Sequence, residues 1–404
     1  MVEWRRCKLG DLLEVKHGYA FLGEYFANKG THIVLTPGNF FDKGGFKKKE
    51  DKEKWYTGPV PDEYVLGADD LLVAMTEQAE GLLGSSALVP CSDLYLHNQR
   101  LGLILVRDQK QTDKKFLYHL FNYQPVRDQI RGSASGTKIR HTAPSRIAEV
   151  NVEVPPLPIQ RRIAGILSAY DELIENSQRR IRILESMARA LYREWFVHFR
   201  FPGHENHPKV PSPLGDIPKG WEVQPFSQVA TLTMGLSPKG NTYNEDGDGT
   251  ALINGPVEFG DRFPVQMKWT TAPTKFAFAR DLIVCVRGST TGKYVKSDAT
   301  YCLGRGVCSI RGKYQSFIDY LFISELPTLL SQTSGSTFPS WTGPQLKSHP
   351  IIVPPASLQA QFDAKAGPMN DAVLQHSRQI ENLRRTRDLL LPRLLSGQVD
   401  LGES

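Results

Sequence analysis

The residues best suited to chemistry in the first 150 positions are cations mixed with aromatic and hydroxyl side chains in two polar segments. The segment 46–56 contributes Lys47, Lys48, Lys49, Lys54 and Tyr56. The segment 131–141 contributes Arg131, Ser135, Thr137, Lys138, Arg140 and His141. Lysine and arginine bind phosphate oxygens and can donate to guanine, while hydroxyls and aromatic rings supply further contacts. These residue types favour nucleic-acid binding; a solvated lysine cluster and a plain linker are the alternatives.

The second half of the chain carries polar segments of a different composition. The loop 233–243 contributes Lys239 and Tyr243. The loop 286–293 follows an apolar run and contributes Arg287, Ser289, Thr291 and Lys293. The segment 333–341 contributes Ser336, Thr337 and Trp341. A Ser-Gly-hydroxyl core is shared between 135–137 and 334–336, but the residues that follow it differ. The sequence therefore predicts related loops with different hydrogen-bond donors.

These loops recur because the chain contains an internal repeat. Pro354-Pro355 lies 199 residues after Pro155-Pro156, and the same shift relates Gln160 to Gln359. Flanking matches at other shifts pair Trp4 with Trp221, Gly18 with Gly235, Asp70–Val73 with Asp281–Val284, and Phe116-Leu117 with Phe317-Ile318. Apolar runs at 70–75 and 101–106 predict strands, and 114–121 predicts a short helix. The chain is thus predicted to be two copies of one mixed α and β module, each followed by a long helix.

The two long helices are predicted from apolar residues that step by threes and fours. The first extends from about 154 to 201, with a four-four stutter around Ser177, and roughly 38 residues give a rod of about 55 Å. Its seam is Ile163, Ile166, Tyr170, Leu173, Ile181, Leu184 and Leu191. The second seam is Phe362, Met369, Ile380, Leu383 and Leu390. Gly367-Pro368 predicts a kink or a break in the second helix.

The order of modules and helices predicts an antiparallel arrangement. The first helix leaves the first module and enters the second, so a second helix packed along the same seam must run back. The predicted fold class is α+β: two mixed modules separated by an antiparallel two-helix coiled coil, with an internal pseudo-two-fold repeat. Two readers held at a fixed separation suit double-stranded DNA, whose helical turn is about 34 Å. Helices that only cap their own modules are the alternative.

Composition indicates a soluble two-domain protein in the cytoplasm. The chain has 404 residues, 40% of them hydrophobic, and neither a long apolar run nor a signal-peptide core is evident, so no membrane contact is expected. The net charge of +6 is compatible with nucleic acid without requiring it. Five scattered cysteines favour reduced thiols, and the three histidines at 198–207 lack the support that a metal site needs. No metal is therefore expected.

The layout and the helix motifs together resemble the specificity subunit of type I restriction-modification systems. The motifs are Pro155-Pro156 with Gln160, Trp195-Phe196, and the run from Leu390 to Gly397. The resemblance implies two target recognition domains, at 1–154 and 221–353, each reading half of a bipartite, asymmetric DNA site. It further implies a central spacer helix at 155–201, a linker at 202–220, and a distal spacer helix at 354–404.

The same resemblance implies partners and cofactors. The helices would set the spacer and bind two methyltransferase subunits, through which restriction subunits join. S-adenosylmethionine, ATP and Mg would belong to those partners, and the chain would hold no cofactor of its own. Its sequence agrees with a noncatalytic role, because it shows neither an adenine-methyltransferase tetrapeptide nor a Walker-type loop. A coiled-coil protein-protein scaffold and an enzyme with a site assembled from scattered residues are the competing hypotheses.

Overall fold

The computed structural model describes residues 4–49, 52–77, 81–136, 139–333, 339–399 and 401, and the two sequence repeats in it share one plan. The chain divides into unit 1, which comprises Met1–Asn176 and Ile380–Ser404, and unit 2, which comprises Ser177–Gln379. Each unit contains strands, short helices and parts of both long helices. The mixed α and β class predicted from the sequence is therefore observed in both repeats.

Unit 1 begins with short strands and small helices. Its strands are β1 (Arg5–Lys8), β2 (Leu13–His17), β3 (Phe26–Ala27), β4 (His32–Val34), β5 (Trp55–Tyr56), β6 (Leu71–Ala74), β7 (Thr76–Glu77), β8 (Ser86–Leu88), β9 (Tyr95–Leu96), β10 (Leu101–Val106), β11 (Arg140–His141) and β12 (Asn151–Val154). Its short helices are α1 (Leu9–Leu12), α2 (Lys114–Phe121), α3 (Gln124–Gly132) and α4 (Pro144–Ala148), with 3-10 turns at Gly23–Tyr25, Pro37–Asn39 and Asp62–Tyr64. The helix predicted at 114–121 is confirmed.

The strands of unit 1 form two four-stranded sheets. The first has the order β2-β10-β6-β8 and is antiparallel throughout. The second has the order β3-β5-β4-β9, in which β4 and β9 are parallel. The pairs β1–β12 and β7–β11 lie outside these sheets. The central strands β6 and β10 carry consecutive buried apolar residues, as strands covered on both faces require.

The first long helix, α5 (Leu157–Tyr192), leaves unit 1 for unit 2 and continues into a π-helical turn at Arg193–Val197. Unit 2 then has the strands β13 (Lys209–Val210), β14 (Ile217–Pro218), β15 (Glu222–Pro225), β16 (Ala230–Met234), β17 (Tyr243–Asn244), β18 (Thr250–Ile253), β19 (Trp269–Thr270), β20 (Phe276–Ala277), β21 (Leu282–Cys285), β22 (Tyr294–Lys296), β23 (Tyr301–Leu303), β24 (Val307–Gly312) and β25 (Pro350–Val353). Its helices are α6 (Gln315–Ser331), α7 (Gly343–Ser348) and the first part of α8 (Ala356–Leu395), with 3-10 turns at Phe226–Gln228, Gly240–Thr242 and Pro256–Glu258.

The sheets of unit 2 repeat those of unit 1. The order β16-β24-β21-β22 matches β2-β10-β6-β8, and β15–β25 matches β1–β12. The order β17-β19-β18-β23-β20 matches the second sheet of unit 1 with one strand added, and its parallel pair β18–β23 corresponds to β4–β9. The internal repeat is thus present in the strand topology as well as in the sequence.

The glutamine of the repeated Pro-Pro-x-x-x-Gln motif has the same contact in both units. Gln160 is buried, and its side-chain amide donates to the carbonyl oxygen of Pro155 at 2.9 Å. Gln359 is also buried and donates to Pro354 at 2.8 Å. Each amide donates to a carbonyl oxygen just before the helix, where the neighbouring prolines have no N–H group to donate. The motif therefore fixes the entry of the chain into each long helix.

The second long helix has no break at the predicted position. Helix α8 runs from Ala356 to Leu395 through Gly367-Pro368, so of the two predicted alternatives the break is wrong and the kink stays a prediction. Proline removes one backbone hydrogen bond, but Phe362 and Ala366 before it are fully buried and Met369 after it packs on the same core. Burial on both sides of the proline holds the helix together across it.

The buried side chains of α5 repeat every seven residues without a stutter. One buried series is Leu167, Ile174, Ile181 and Ala188, and it continues to Trp195 in the π-helical turn. A second, partly or fully buried series is Ile163, Tyr170, Ser177, Leu184 and Leu191. Leu173 is 47% exposed, so placing it in the seam was wrong. Ile166 is partly buried on the core, but its neighbour Leu167 is the fully buried residue. A strict heptad from Leu167 reaches Ile174 instead, which is the spacing of a coiled-coil seam.

The same heptad continues in α8 at the shift of 199 residues. One series is Ala366, Val373, Ile380, Arg387 and Leu394, and the other is Phe362, Met369, His376, Leu383 and Leu390. All of these residues are partly or fully buried. Arg387 is the charged member, and its Nη1 lies 2.5 Å from Oδ1 of Asp171 on α5 within unit 1. A polar pair in an apolar seam favours one helix register over others.

The remaining sequence predictions have mixed outcomes. The segment predicted as a linker, 202–220, contains the hairpin β13–β14, and Ile217 within it is buried in the core of unit 2. All five cysteines are free, with Cys285, Cys302 and Cys308 buried, Cys7 partly buried and Cys91 exposed. Among the described residues, no helix is long and apolar enough to cross a membrane.

Candidate nucleic-acid interface

The segment 131–141 of unit 1 folds back onto the end of the central strand. Ser135 and His141 exchange two backbone hydrogen bonds of 2.9 Å each, while β11 pairs Arg140 with Glu77 and His141 with Thr76. The Nδ1 atom of His141 lies 3.1 Å from Oγ1 of Thr76. Ser135 and His141 are exposed and Arg140 is half-buried, whereas Thr137 and Lys138 lie outside the described residues. The structure thus joins this predicted loop to β7, which follows β6.

The buried side chain of Glu77 connects the backbone and side chains at this junction. Its side chain is 5% exposed, and Oε2 accepts hydrogen bonds from the backbone N–H groups of Gly81, Leu82 and Leu83 at 3.2, 3.1 and 2.9 Å. The other oxygen, Oε1, lies 3.6 Å from the guanidinium of Arg131. The Glu77 side chain thus connects the turn at 81–83 to Arg131. The residue escaped the sequence analysis, although a glutamate at the end of an apolar strand is a signal that could have identified it.

Arg127 connects the same region to the lysine-rich segment. Its guanidinium is largely buried and donates to the carbonyl oxygens of Asp42 and Gly81. Asp42 belongs to the loop that precedes Lys47, so one arginine holds two loops that are far apart in the sequence. Burial lowers the pKa of Arg127, and the nearby carboxylates of Asp42 and Glu77 oppose that shift. No sequence pattern distinguished this arginine from other helical cations.

The lysines of the segment 46–56 have different roles. Lys47 and Lys48 are exposed, as nucleic-acid contacts require. Lys49 is half-buried: its Nζ donates to Oγ1 of Thr36 at 2.8 Å, and its backbone N–H donates to Oε1 of Glu53 at 2.6 Å. Desolvation lowers the pKa of Lys49, while the charge of Glu53 raises it. Lys49 therefore helps to hold the loop, and its contact with nucleic acid stays a prediction.

Tyr56 is a core residue, so its prediction as a binding residue is wrong. Its side chain is 2% exposed, and its ring centroid lies 5.0 Å from that of Phe21 and 5.5 Å from that of Phe26. Burial raises the pKa of its hydroxyl. Alternation along β5 turns Tyr56 inward, whereas Lys54 precedes the strand and is exposed.

Unit 2 joins its corresponding loops in the same way. The backbone N–H of Trp341 donates to Val286 at 3.0 Å, as that of Thr142 donates to Met75 at 2.9 Å. Arg287 forms a β-bridge with Ser340, in the place where Thr76 and His141 pair in unit 1. The backbone frame is shared, but its side chains offer a guanidinium in one unit and an imidazole in the other.

Several predicted residues of unit 2 use their polar groups internally. Trp341 is 2% exposed and its Nε1 donates to the carbonyl oxygen of Leu329 at 2.9 Å, so its prediction as a binding residue is wrong. The hydroxyl of Thr291 donates to the carbonyl oxygen of Pro339 at 2.7 Å, and that of Tyr243 donates to Pro238 at 3.1 Å. Arg287, Ser289, Lys293 and Lys239 are exposed. Ser336 and Thr337 lie outside the described residues.

The matched glycines mark a close backbone approach beside these loops. A Cβ added at Gly18 would lie 2.2 Å from the carbonyl oxygen of Asn98, and one added at Gly235 would lie 2.1 Å from that of Gly304. Only glycine permits such an approach. The next residue is exposed in both units, a tyrosine at position 19 and a leucine at position 236. The loop thus starts from the same anchor with different side chains.

Two exposed arginines adjoin these anchors and were missed by the sequence analysis. The carbonyl oxygen of Arg100 accepts the backbone N–H of Met75 at 3.0 Å, beside the junction in unit 1. The backbone N–H of Arg305 donates to Oγ of Ser237 at 3.2 Å, beside the junction in unit 2. Each arginine lies in the polar turn before the longest strand of its unit. The presence of an arginine in such a turn is the sequence feature that could have identified both residues.

In each unit at least one loop is joined to a long helix by an ion pair. In unit 1, Nζ of Lys43 lies 3.2 Å from Oδ2 of Asp388 on α8. In unit 2, Arg262 contacts both carboxylate oxygens of Glu185 on α5, at 2.5 and 3.1 Å. The second pair is half-buried and bidentate, which makes it the stronger of the two. Among the described residues, no group of histidine, cysteine, aspartate or glutamate is arranged to hold a metal ion.

Comparison with known proteins gives one consistent result. The family model described as the type I restriction modification DNA specificity domain matches residues 1–186 and, a second time, residues 218–362. The putative type I restriction enzyme MjaX specificity subunit of Methanocaldococcus jannaschii is 25% identical over 321 residues, which span 76% of this chain and 73% of that protein. The MjaIX specificity subunit of the same organism is 24% identical over 318 residues, with the same coverage of both chains.

The fold is also similar to that of a solved structure. The crystal structure of the type-I restriction-modification S subunit from M. genitalium aligns with a TM-score of 0.65 at 14% sequence identity. The alignment covers 98% of this chain and 96% of that one. At this level of identity the likeness concerns the fold.

Proposed function

The chain belongs to the type I restriction-modification DNA specificity family, and we propose that each of its two units reads one half of a bipartite, asymmetric DNA site. It is the DNA-recognising specificity subunit of a type I restriction-modification complex. One observation supports the assignment of a different half-site to each unit. The two units have the same backbone pairing at the loop junction, where Thr76–His141 in one unit corresponds to Arg287–Ser340 in the other. Two units with the same backbone pairing but different hydrogen-bond donors are suited to recognise two different base sequences.

The long helices are proposed to pair as an antiparallel coiled coil that sets the spacer. Their heptads are related by the shift of 199 residues, as a pseudo-two-fold arrangement requires. Support comes from contacts within each unit: Arg387 with Asp171 in unit 1, and Ser177 Oγ with Gln379 Oε1 at 3.5 Å in unit 2. Asp171 precedes Ser177 on α5, whereas its partner Arg387 follows Gln379 on α8, and this opposite order is what antiparallel pairing demands.

The partners follow from the same proposal. The helices dock two methyltransferase subunits, and restriction subunits join through the complex. The chain itself is noncatalytic, while S-adenosylmethionine, ATP and Mg serve the partner subunits. Adenine N6 methylation is then the reaction that reports which DNA sequence this chain selects.

Genome-wide adenine methylation is the test of this function. The chain is co-expressed with its methyltransferase subunit, and wild type is compared with a chain whose residues 221–353 are exchanged for those of a relative. We expect a bipartite methylated motif in which one half and not the other changes with the exchange. Long-read sequencing of the host DNA measures both motifs directly.

The exchange has a matched control and a clear failure. Exchanging residues 1–154 should change the opposite half of the motif and leave the spacer length unaltered. Absence of any methylated motif, with the subunits shown to be bound, would contradict the proposed function and favour a scaffold. A change in both halves on exchanging one unit would contradict the division of labour.

Arg287→Gln and Arg140→Gln are expected to act on different halves of the site. An arginine that reads a base contributes about 1–3 kcal/mol of discrimination, so its loss relaxes the preference at one position of one half-site. Competition binding with duplexes substituted at single positions measures this. Each variant serves as the control for the other half. Equal weakening on specific and random duplexes would assign the residue to a phosphate contact instead.

A further inference from the structure

A lysine lies over an aromatic ring at the same place in the second sheet of each unit. In unit 1, Nζ of Lys54 lies 5.7 Å from the ring centroid of Phe26. In unit 2, Nζ of Lys268 lies 6.0 Å from the ring centroid of Tyr243. Both distances fall within the range in which a cation is attracted to the face of an aromatic ring.

The two pairs are equivalent in strand register as well as in chemistry. Phe26 opposes Tyr56 and Tyr243 opposes Thr270, so each ring sits on the first residue of its edge strand. Each lysine immediately precedes a tryptophan, Trp55 or Trp269, that begins the neighbouring strand. The lysine backbone is fixed too, because the carbonyl oxygen of Lys54 accepts from Val34 at 2.9 Å and that of Lys268 from Leu252 at 2.7 Å.

The residues that lie between the ring and the lysine in the sequence differ between the two units. In unit 1 this stretch presents the exposed cations Lys47 and Lys48. In unit 2 the corresponding stretch presents exposed apolar side chains, Val257, Val265 and Met267. A pair that persists between such different loops points to a ligand feature that is the same at both half-sites. Bases differ between the half-sites, whereas the sugar-phosphate backbone does not.

We propose that Lys54 with Phe26 and Lys268 with Tyr243 are two equivalent binding sites for DNA backbone phosphates, one in each unit. This inference rests on the proposed function, because it names the part of the DNA that these residues contact. Within the described ranges, no carboxylate forms an ion pair with either ammonium, so both charges are available to a phosphate. The ring orients the ammonium without neutralising it.

The experiment measures how binding depends on salt. The full chain, bound to its methyltransferase subunit, is titrated with a duplex that carries the methylated motif and with a random duplex, at about 50 to 300 mM salt. The variants are Lys54→Gln, Lys268→Gln and the double variant. The matched control is Lys209→Gln in strand β13, which removes a lysine whose Nζ lies 5.5 Å from the ring centroid of Phe199. Thermal unfolding of each variant establishes that it is folded.

Each site variant is expected to reduce the slope of log K against log salt by about 0.9, and the double variant by about twice that. Affinity at roughly 0.1 M salt should fall about five- to tenfold per lysine, equally on both duplexes, because a released counterion accompanies each phosphate contact. The methylated motif should stay the same. Lys209→Gln should leave the slope at its wild-type value.

Three results would overturn the inference. An unchanged slope in the folded site variants would assign the lysines to covering the rings only. An altered motif would make them base readers. An equal fall in slope for Lys209→Gln would show a general effect of net charge. If wild type itself binds neither duplex, the proposed function fails along with the inference, whereas specific binding by wild type isolates the phosphate sites as the part that failed.

Discussion

A chain carrying Gly235→Ala is expected to lose methylation of the motif and about 3 kcal/mol or more of the stability of unit 2. The added Cβ would lie 2.1 Å from the carbonyl oxygen of Gly304, which belongs to the backbone and cannot rotate away. Relief requires the start of the loop to separate from the turn that carries Arg305. Gly18→Ala should have the same effect in unit 1, where Asn98 provides the obstructing carbonyl.

The matched controls are the glycines five residues further along. Gly240→Ala and Gly23→Ala place a Cβ where nothing lies within 4 Å, so both should fold and support methylation as wild type does. Urea denaturation followed by circular dichroism gives the stability difference, and sequencing gives the methylation. Equal stability of Gly235→Ala and Gly240→Ala would show that the close approach is not needed.

Ala188→Asp is the second substitution with a large expected effect. Ala188 is fully buried in the core cluster of unit 2, together with Trp195 and Phe362. A carboxylate there has no cation to pair with among the members of that apolar cluster, so we expect a loss of about 3–5 kcal/mol in the free energy of unfolding. The helix end and the recognition loops of unit 2 share this core, so methylation of the motif should be lost as well.

Ala190→Asp provides the control on the same helix. Ala190 is exposed two residues further along, so an aspartate there meets solvent and should change stability by less than about 0.5 kcal/mol. The comparison keeps residue type, charge and helix constant and varies only burial. Unchanged helix content and spacer length in Ala188→Asp would contradict the assignment of this heptad position to the core.

Much of the fold shared by the two units could be predicted because its motifs occur twice in the sequence. The matches of Gly18 with Gly235 and of Gln160 with Gln359 each correspond to a shared contact in the structure. The seam was placed one residue wrong at Leu173, because leucine and isoleucine stand side by side and either satisfies a pattern of threes and fours. Only the seven-residue spacing from Leu167 through Ile174 to Ile181 separates them.

The loop residues were less predictable because composition does not show the direction of a side chain. Tyr56 was grouped with neighbouring lysines and Trp341 with neighbouring hydroxyl residues, yet both side chains are buried in cores. Arg127 positions the junction of unit 1 through contacts with Asp42 and Gly81, which lie far away in the sequence, and nothing local marks such contacts. Glu77 could have been identified from its place at the end of an apolar strand. Exposed cations such as Lys47 and Arg287 were predictable as candidates, and their DNA contacts stay a prediction.

The division of the chain into units has a consequence for the order of folding during synthesis. Unit 2 is one continuous stretch, whereas the core of unit 1 includes Leu394 and Leu395 beside Leu9 and Phe116. A ribosome delivers residues 177–379 before those two leucines, so unit 2 has all of its residues before unit 1 does. The recognition unit translated first is therefore the one that matures last, and until then its uncovered core is the surface that chaperones must protect.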